Sequence, residues 1–406
     1  MDPIRNPYAP GAGTPPPELA GRDAFLDKVR VALARIRAGR PARSVLMVGL
    51  RGVGKTVLLD QLRREAEGEG IQTMRIEAPE HRSLPAILAP QLRRALLRLS
   101  RNEQARDLAG RALRGLAGFV GALKVKYQDI EVGIDLDPEP GLADNGDLEH
   151  DLQDLLEVVG QAAAEADTAL ALFIDELQYV AEPELAALIT ALHRTAQLQL
   201  PVAMVGAGLP QLPGQFGRAK SYAERLFDFE TVGPLSREDT EAALVLPAQR
   251  EGVQYEPAAL AHIVERTAGY PYFIQEWGMQ SWDVAAGPVI TLADVEAATV
   301  LVMAALDEGI FRVRFDRLTP AEKRYLRAMA ELGPGPPGPA TSPGCWTVPS
   351  SPWRPSAPGL SPRAWCGAPA TATRPSRCRS SMDSCGASCP AATGPTDRAA
   401  AASCHT

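Results

Sequence analysis

The first 340 residues of this 406-residue chain contain no cysteine. The body of the protein therefore relies on neither disulfides nor thiol chemistry. No run of about 18 apolar residues occurs, so no membrane-spanning helix is expected. The start, Met1 to Pro7, lacks the apolar core of a secretory signal, which points to the cytoplasm. Positive charge is also short: the formal net charge is −7. No global basic footprint argues for nucleic acid, so any such contact needs a local patch. The length bounds the chain at roughly two to three domains.

What is present is organised around Gly49-Leu50-Arg51-Gly52-Val53-Gly54-Lys55-Thr56. The spacing fits the phosphate-binding loop G-x-x-x-x-G-K-[ST]. An apolar run, Arg43 to Val48, precedes it as a buried strand, and a helical apolar pattern from Val57 follows. Glycines let backbone N–H groups close around phosphate oxygens, and a helix N-terminus adds partial positive charge. The nucleotide-contacting set is then Gly49, Gly52, Val53, Gly54, Lys55, Thr56 and Val57. Lys55 reaches the β/γ-phosphates and the Thr56 hydroxyl holds Mg²⁺.

A second signal is Ala169 to Glu176, a continuous apolar run ending in two acids. Such a run reads as a fully buried parallel strand. Paired with the loop upstream, Asp175 is placed on Mg²⁺, directly or through water, and Glu176 on the attacking water. Gln178 lies just beyond, facing either the γ-phosphate or the following helix. Two more strands are expected over residues 200–208 and 226–232, and one over 71–78, with helices between. This predicts an α/β fold: a P-loop NTPase with a five-stranded, mostly parallel sheet. The strand over 200–208 ends in Gly206-Ala207-Gly208, with no polar side chain to sense phosphate.

The chain divides by composition. Residues 1–18 are Pro/Gly-rich and read as an extended lead-in; 19–234 hold the ATPase pattern. From Ser236 the pattern is all helical, which predicts a small helical lid over 235–310. Thr319-Pro320 opens another helix within 311–333. Residues 83–123 are helical and carry Arg93, Arg94, Arg98, Arg101, Arg106, Arg111 and Arg114, either a solvated face or a nucleic-acid or partner surface. Residues 123–135 alternate in places and suggest a small hairpin or edge strand.

Residues 334–406 change abruptly: one Val, one Leu, and no Ile, Phe, Lys or Glu. Such a composition predicts disorder, because too little apolar surface is available to offset chain entropy. Six arginines against two aspartates give this tail +4 and leave the body at −11. Its six cysteines fit no tight zinc spacing. A frameshift in a GC-rich gene accounts for it better. Read one base earlier, Ala340 to Thr347 permits Gly-Asp-Val-Ala-Gly-Val-Leu-Asp, and Arg377 to Met382 permits Thr-Val-Pro-Leu-Phe-Asp.

Together these residues resemble the AAA+ P-loop ATPases of the archaeal-ATPase and origin-recognition-type group, as a bacterial ATP-binding protein. The resemblance covers roughly residues 6–332. It rests on Leu19 to Asp23, the P-loop, Phe173 to Gln178, Val205 to Pro210 and Gly269-Tyr270-Pro271. It implies that Gly21 and Arg22 contact adenine and that Pro271 packs against the nucleotide. It also implies that Arg225 acts as an arginine finger on a neighbour's γ-phosphate, which requires a homo-oligomer. An ion pair with Glu224 is the alternative for Arg225. The place of the family's sensor-2 arginine is taken by Tyr272, and residues 311–333 correspond to the truncated start of a winged-helix-like domain.

The implied function is an ATP-binding protein that hydrolyses ATP with Mg²⁺ to drive a conformational switch. The alternative is a nucleotide-gated DNA-binding or signalling module of the STAND type with little turnover. DNA, a protein or a second copy are the partners this leaves open, with no membrane. Sequencing the gene across codons 330–345 is expected to reveal a shifted frame; an unbroken frame there overturns that origin for the tail.

Overall fold

Val, Leu, Met, Ile and Phe fill five short strands: Ser44–Val48 (β1), Gln72–Glu77 (β2), Leu170–Asp175 (β3), Val202–Gly208 (β4) and Phe227–Thr231 (β5). This computed structural model describes residues 1–78, 80–130 and 136–332. All four strand pairings are parallel, in the order β2-β3-β4-β1-β5. β3 and β4 are buried along their whole length, which is why each reads as an unbroken run of apolar and small residues rather than an alternation. The register pairs Val48 with Gly208 and with Thr231, and Ile174 with Gly206. The carboxyl ends of β1, β3 and β4 therefore lie side by side, where open parallel sheets bind ligands.

Helices cover both faces. Asp23–Arg37 (α1) and Lys55–Gly68 (α2) pack Leu26, Val29, Leu33, Leu58 and Leu62 onto Val45, Met47, Phe173 and Val205. The other face takes Leu84–Leu99 (α3), Arg106–Leu123 (α4), Leu148–Glu165 (α5), Glu182–Gln197 (α6) and Leu212–Ala219 (α7). A short helix, Ala223–Leu226 (α8), leads into β5. Ser83 and Asp147 cap α3 and α5 with side-chain oxygens that accept backbone N–H groups.

Two local expectations are corrected. The helical stretch over 83–123 is two helices, broken at Ser100–Ala105, where Asn102 accepts the Gln104 and Ala105 N–H groups and turns the chain. The hairpin or edge strand over 123–135 does not form across Lys124–Ile130, which turns directly out of α4; 131–135 lie outside the described residues. The alternation there comes from Ile130 dipping into the core, not from a ladder.

The following unit contains Arg237–Arg250 (α9), Pro257–Thr267 (α10), Pro271–Val284 (α11) and Leu292–Leu306 (α12). Ser236 caps α9, and Thr291 with Asp294 forms a capping box on α12. Gln254–Tyr255 (β6) and Val289–Ile290 (β7) add a two-residue parallel bridge. Strands that short carry no period in the sequence. A π-helical turn, Asp307–Arg312, then leads to Val313–Asp316 (α13) and Pro320–Leu332 (α14). Among the described residues no helix is long and apolar enough to cross a membrane. The tail after Leu332 lies outside the described residues.

The lead-in is held rather than loose. The Met1 ammonium donates to the Ala285 carbonyl at 2.6 Å, and Trp282 Nε1 donates to the Asp2 carbonyl at 3.0 Å. Tyr8 is buried at 4% exposure among Leu244, Ala248, Ile274 and Trp277. Its hydroxyl donates to the Leu244 carbonyl and accepts from Tyr255. Gly278 makes room: a Cβ there would lie 2.6 Å from the Tyr8 ring. Tyr8→Ala is expected to cost about 3 kcal/mol, as for other buried aromatic truncations. Denaturant unfolding followed by the fluorescence of Trp277 and Trp282 measures it; an unmoved midpoint would separate residues 1–18 from the packed unit.

Candidate active site

The loop after β1 is shaped by its glycines. Gly52 and Gly54 adopt φ of 86° and 93°, the left-handed region that side chains disfavour. Gly49 is excluded from any substitution by contact: a Cβ would lie 2.2 Å from the Val232 carbonyl. The Gly49 N–H donates to Gly208 at 3.2 Å, which ties the loop to the end of β4. α2 begins at Lys55, directly on the loop.

Lys55 is 7% exposed, and its ammonium donates to the Gly49 and Leu50 carbonyls, each at 2.9 Å. Burial lowers its pKa below the ordinary lysine value; Glu176 and Asp175 oppose that shift and Arg51 adds to it. Thr56 Oγ1 donates to Asp175 Oδ2 at 2.6 Å, and Asp175 Oδ1 accepts the Glu176 N–H at 2.8 Å. Glu176 sits at φ 53°, turning sharply out of β3. Strain of this kind in a non-glycine residue concentrates at functional sites. Lys55, Thr56, Asp175 and Glu176 thus converge at the carboxyl ends of β1 and β3. Arg225 does not join them. It precedes Phe227, which pairs with Ser44 at the opposite end of the sheet. It is exposed, and among the described residues it makes no ion pair, with Glu224 or any other acid.

Gln178 has a definite place. Its Nε2 donates to Glu176 Oε2, and its Oε1 accepts the Leu209 N–H at 3.1 Å. The polar group absent from the end of β4 is therefore supplied from the β3 side. Gly208 allows this, since a Cβ there would lie 3.1 Å from Gln178 Oε1.

A cleft of about 90 Å³, open to solvent, lies beside the loop. Its walls come from Gly52, Val53, Gly54 and Val57, from Arg22, and from Pro271 and Tyr272 of the helical unit. Arg22 donates to the Gly233 carbonyl; burial lowers its pKa, with Asp239 opposing. Gly21 stands beside this wall rather than in it, where a Cβ would lie 2.4 Å from the Asp239 carboxylate. The lead-in residues Thr14, Pro16 and Glu18 also line the cleft. No motif marks them, because their contribution is a position set by the docking of Tyr8.

The helical unit touches the loop directly. The Tyr272 N–H donates to the Gly52 carbonyl at 3.2 Å, and the Tyr270 hydroxyl donates to the Arg51 carbonyl. Gly52 again lacks a side chain where one would collide, 3.0 Å from the Tyr270 ring. Burial raises the Tyr270 pKa, which keeps that hydroxyl a donor.

The donor set fits a nucleotide with Mg²⁺: an unobstructed left-handed glycine loop, a buried ammonium, and a hydroxyl–carboxylate pair. Sheet order, loop and acid pair define a P-loop NTPase. Residues 18–205 match the AAA ATPase domain, and residues 308–341 match a domain of unknown function. Residues 18–205 thus carry an AAA ATPase domain on a P-loop NTPase fold. No curated protein matches it. Among solved structures it is similar to the Orc1 protein of Aeropyrum pernix in complex with DNA, at 15% identity, covering 79% of this chain and 74% of that one, TM-score 0.44. It is also similar to a Walker-type ATPase of Pyrococcus abyssi, at 17% identity, covering 78% and 80%, TM-score 0.46. A third is Cdc6p from Pyrobaculum aerophilum, at 18% identity, covering 82% and 78%, TM-score 0.46.

Tyr270→Phe removes one bond between loop and helical unit while keeping the ring. It is expected to cost about 1 kcal/mol and to speed amide exchange in residues 50–54. Exchange unchanged there would show that the hydroxyl does not hold the loop.

Proposed function

We propose that the protein binds ATP with Mg²⁺ in this cleft and hydrolyses it, with the helical unit acting as a lid that responds to the nucleotide. The observation that carries the reading is the convergence of Lys55, Thr56, Asp175 and Glu176 at one end of the sheet. The glycine loop, with Val53, supplies N–H donors to phosphate oxygens, and Lys55 supplies a positive charge toward the β- and γ-phosphates. Thr56 and Asp175 would hold Mg²⁺, which offsets charge on the transferred phosphoryl group. Glu176 accepts a proton from the attacking water as the water oxygen bonds to the γ-phosphorus and ADP departs. Gln178 holds the Glu176 carboxylate in one orientation. Arg22 and Pro271 border the base. Arg225, exposed at the far end of the sheet, would serve a neighbouring copy's site in a homo-oligomer.

A nucleotide-gated module with little turnover is the second reading. It is favoured by Gly206-Ala207-Gly208 at the end of β4 and by Tyr272 where a lid arginine would act. A DNA-linked output draws on a local patch: Arg93, Arg94 and Arg98 on α3, Arg101 and Arg106 are exposed and make no ion pair among the described residues, whereas Arg111 and Arg114 pair with Glu139. Such unpaired guanidiniums suit phosphate backbones. Residues 311–333, inside the matched segment 308–341, would begin the output domain.

Lys55→Ala is expected to weaken ATP binding about 100-fold or more, and Glu176→Gln to keep binding while lowering turnover by a similar factor, within the range of general-base losses. Equilibrium binding and phosphate-release assays separate the two effects. Undiminished turnover in Glu176→Gln overturns the hydrolytic assignment. Turnover stimulated by duplex DNA favours the first reading with a DNA partner, and retention of unhydrolysed ATP favours the second.

A further inference from the structure

The residue after Pro271 in the helical unit is Tyr272, not a cation. A cation comes from farther along the chain. The π-helical turn docks through Phe311, whose ring centroid is 6.5 Å from that of Phe273. Phe273 in turn packs 4.8 Å from Tyr270 and 6.3 Å from Tyr272, the two residues bonded to the loop. Three residues after Phe311, α13 carries Arg314 into the same seam. Arg314 is half-buried and makes no ion pair or hydrogen bond among the described residues. Its electrostatic neighbours are Arg51 of the loop and the hydroxyls of Tyr270 and Tyr272, with no carboxylate among them. Burial first, and then Arg51, lower its pKa.

Arg51 faces the chemistry end of the site. It acts on Lys55, together with Glu176 and Asp175, and it donates to the Tyr179 hydroxyl at 2.5 Å. Tyr179 also lies against Glu80 and within reach of Glu176. Arg314, brought to the seam by Phe311, thus lies within electrostatic reach of Arg51, whose carbonyl accepts from Tyr270. A guanidinium half removed from water beside a like charge is held at a cost, and an anion between the two removes that cost.

We propose that Arg314 and Arg51 form a cationic clamp for the terminal phosphate of a nucleoside triphosphate. The segment from Asp307 to Leu318 is then fastened to the seam by ATP and released with ADP. This rests on the ATP-binding reading and adds to it the element that senses the nucleotide. The clamp gives the residues that begin the 308–341 segment a direct electrostatic link to the loop.

The full chain tests it. Arg314→Ala is expected to weaken binding of ATPγS about tenfold or more while leaving ADP within about twofold, and Arg314→Lys to recover part of the difference. Equal losses for both nucleotides, or none, overturn the clamp. In the unaltered protein, ATPγS is expected to slow amide exchange over 307–318 and ADP is not; equal effects, or no effect, overturn it without reliance on a variant. The parent reading fails in a different way: the unaltered protein would bind ATPγS no better than Lys55→Ala does.

Discussion

The hydrogen bond from Thr56 to Asp175 joins two residues 119 positions apart. Everything functional depends on the constraint that permits it, the parallel register of β1, β4 and β3. Val48 stands against Gly208 and Ile174 against Gly206, so the loop after β1 and the acids ending β3 emerge at one level. A slip of one residue would turn every strand side chain to the other face and separate the hydroxyl from the carboxylate. Gly206 shows how tightly the register is enforced: a Cβ there would lie 2.4 Å from Leu177 and 2.5 Å from Leu46. The small residues that end β4 are thus not only an absence of polar groups. They are the space into which the β3–α6 connection folds, and that folding delivers Gln178 to Glu176.

The same logic of space governs the other side of the cleft. Gly52 accepts the Tyr270 ring, Gly269 turns at φ 73° with its Cα against the Leu235 carbonyl, and Gly278 accepts Tyr8. Gly52 and Gly278 remove a side chain where two segments approach, and Gly269 does so within the helical unit. The lead-in, the loop and the helical unit therefore line one cleft. Contacts built from a few hydrogen bonds and ring edges are of modest strength, about 1 kcal/mol each. Under the proposed function, a helical unit joined to the loop by contacts of this strength could respond to a ligand.

Much of this was legible from the residues, and the parts that were not have physical causes. The strands over 44–48, 170–175 and 202–208 are buried on both faces, so they stand out as apolar runs. The helices from α9 to α12 announce themselves through caps and punctuating Gly and Pro. The loop and the acid pair were readable because their chemistry fixes their spacing. Three things were not. The β6–β7 bridge is too short to have a period. The hairpin expected near residues 123–135 rested on alternation produced by one buried isoleucine. The role of residues 1–18 as a cleft wall follows from where Tyr8 docks, and a Pro/Gly-rich composition does not encode a docking site.

Charge placement extends the argument beyond the fold. The chain is acidic overall, yet Arg93, Arg94, Arg98, Arg101 and Arg106, the exposed Arg225, and Arg51 and Arg314 at the seam are among the arginines that make no ion pair among the described residues. Other arginines are matched, as Arg30 is by Glu65 and Asp27, and Arg111 by Glu139. Under the proposed function these unpaired arginines would stand at the solvent-facing helix hairpin, at an edge offered to a second copy, and at the seam beside the loop, and an anion at each would supply the missing charge. At the seam Arg314 is half-buried while Arg51 is exposed, so salt screens Arg314 less than the exposed arginines. If the proposed clamp holds, an electrostatic signal from the nucleotide would pass there, along the rings of Tyr270, Phe273 and Phe311 into the C-terminal segment.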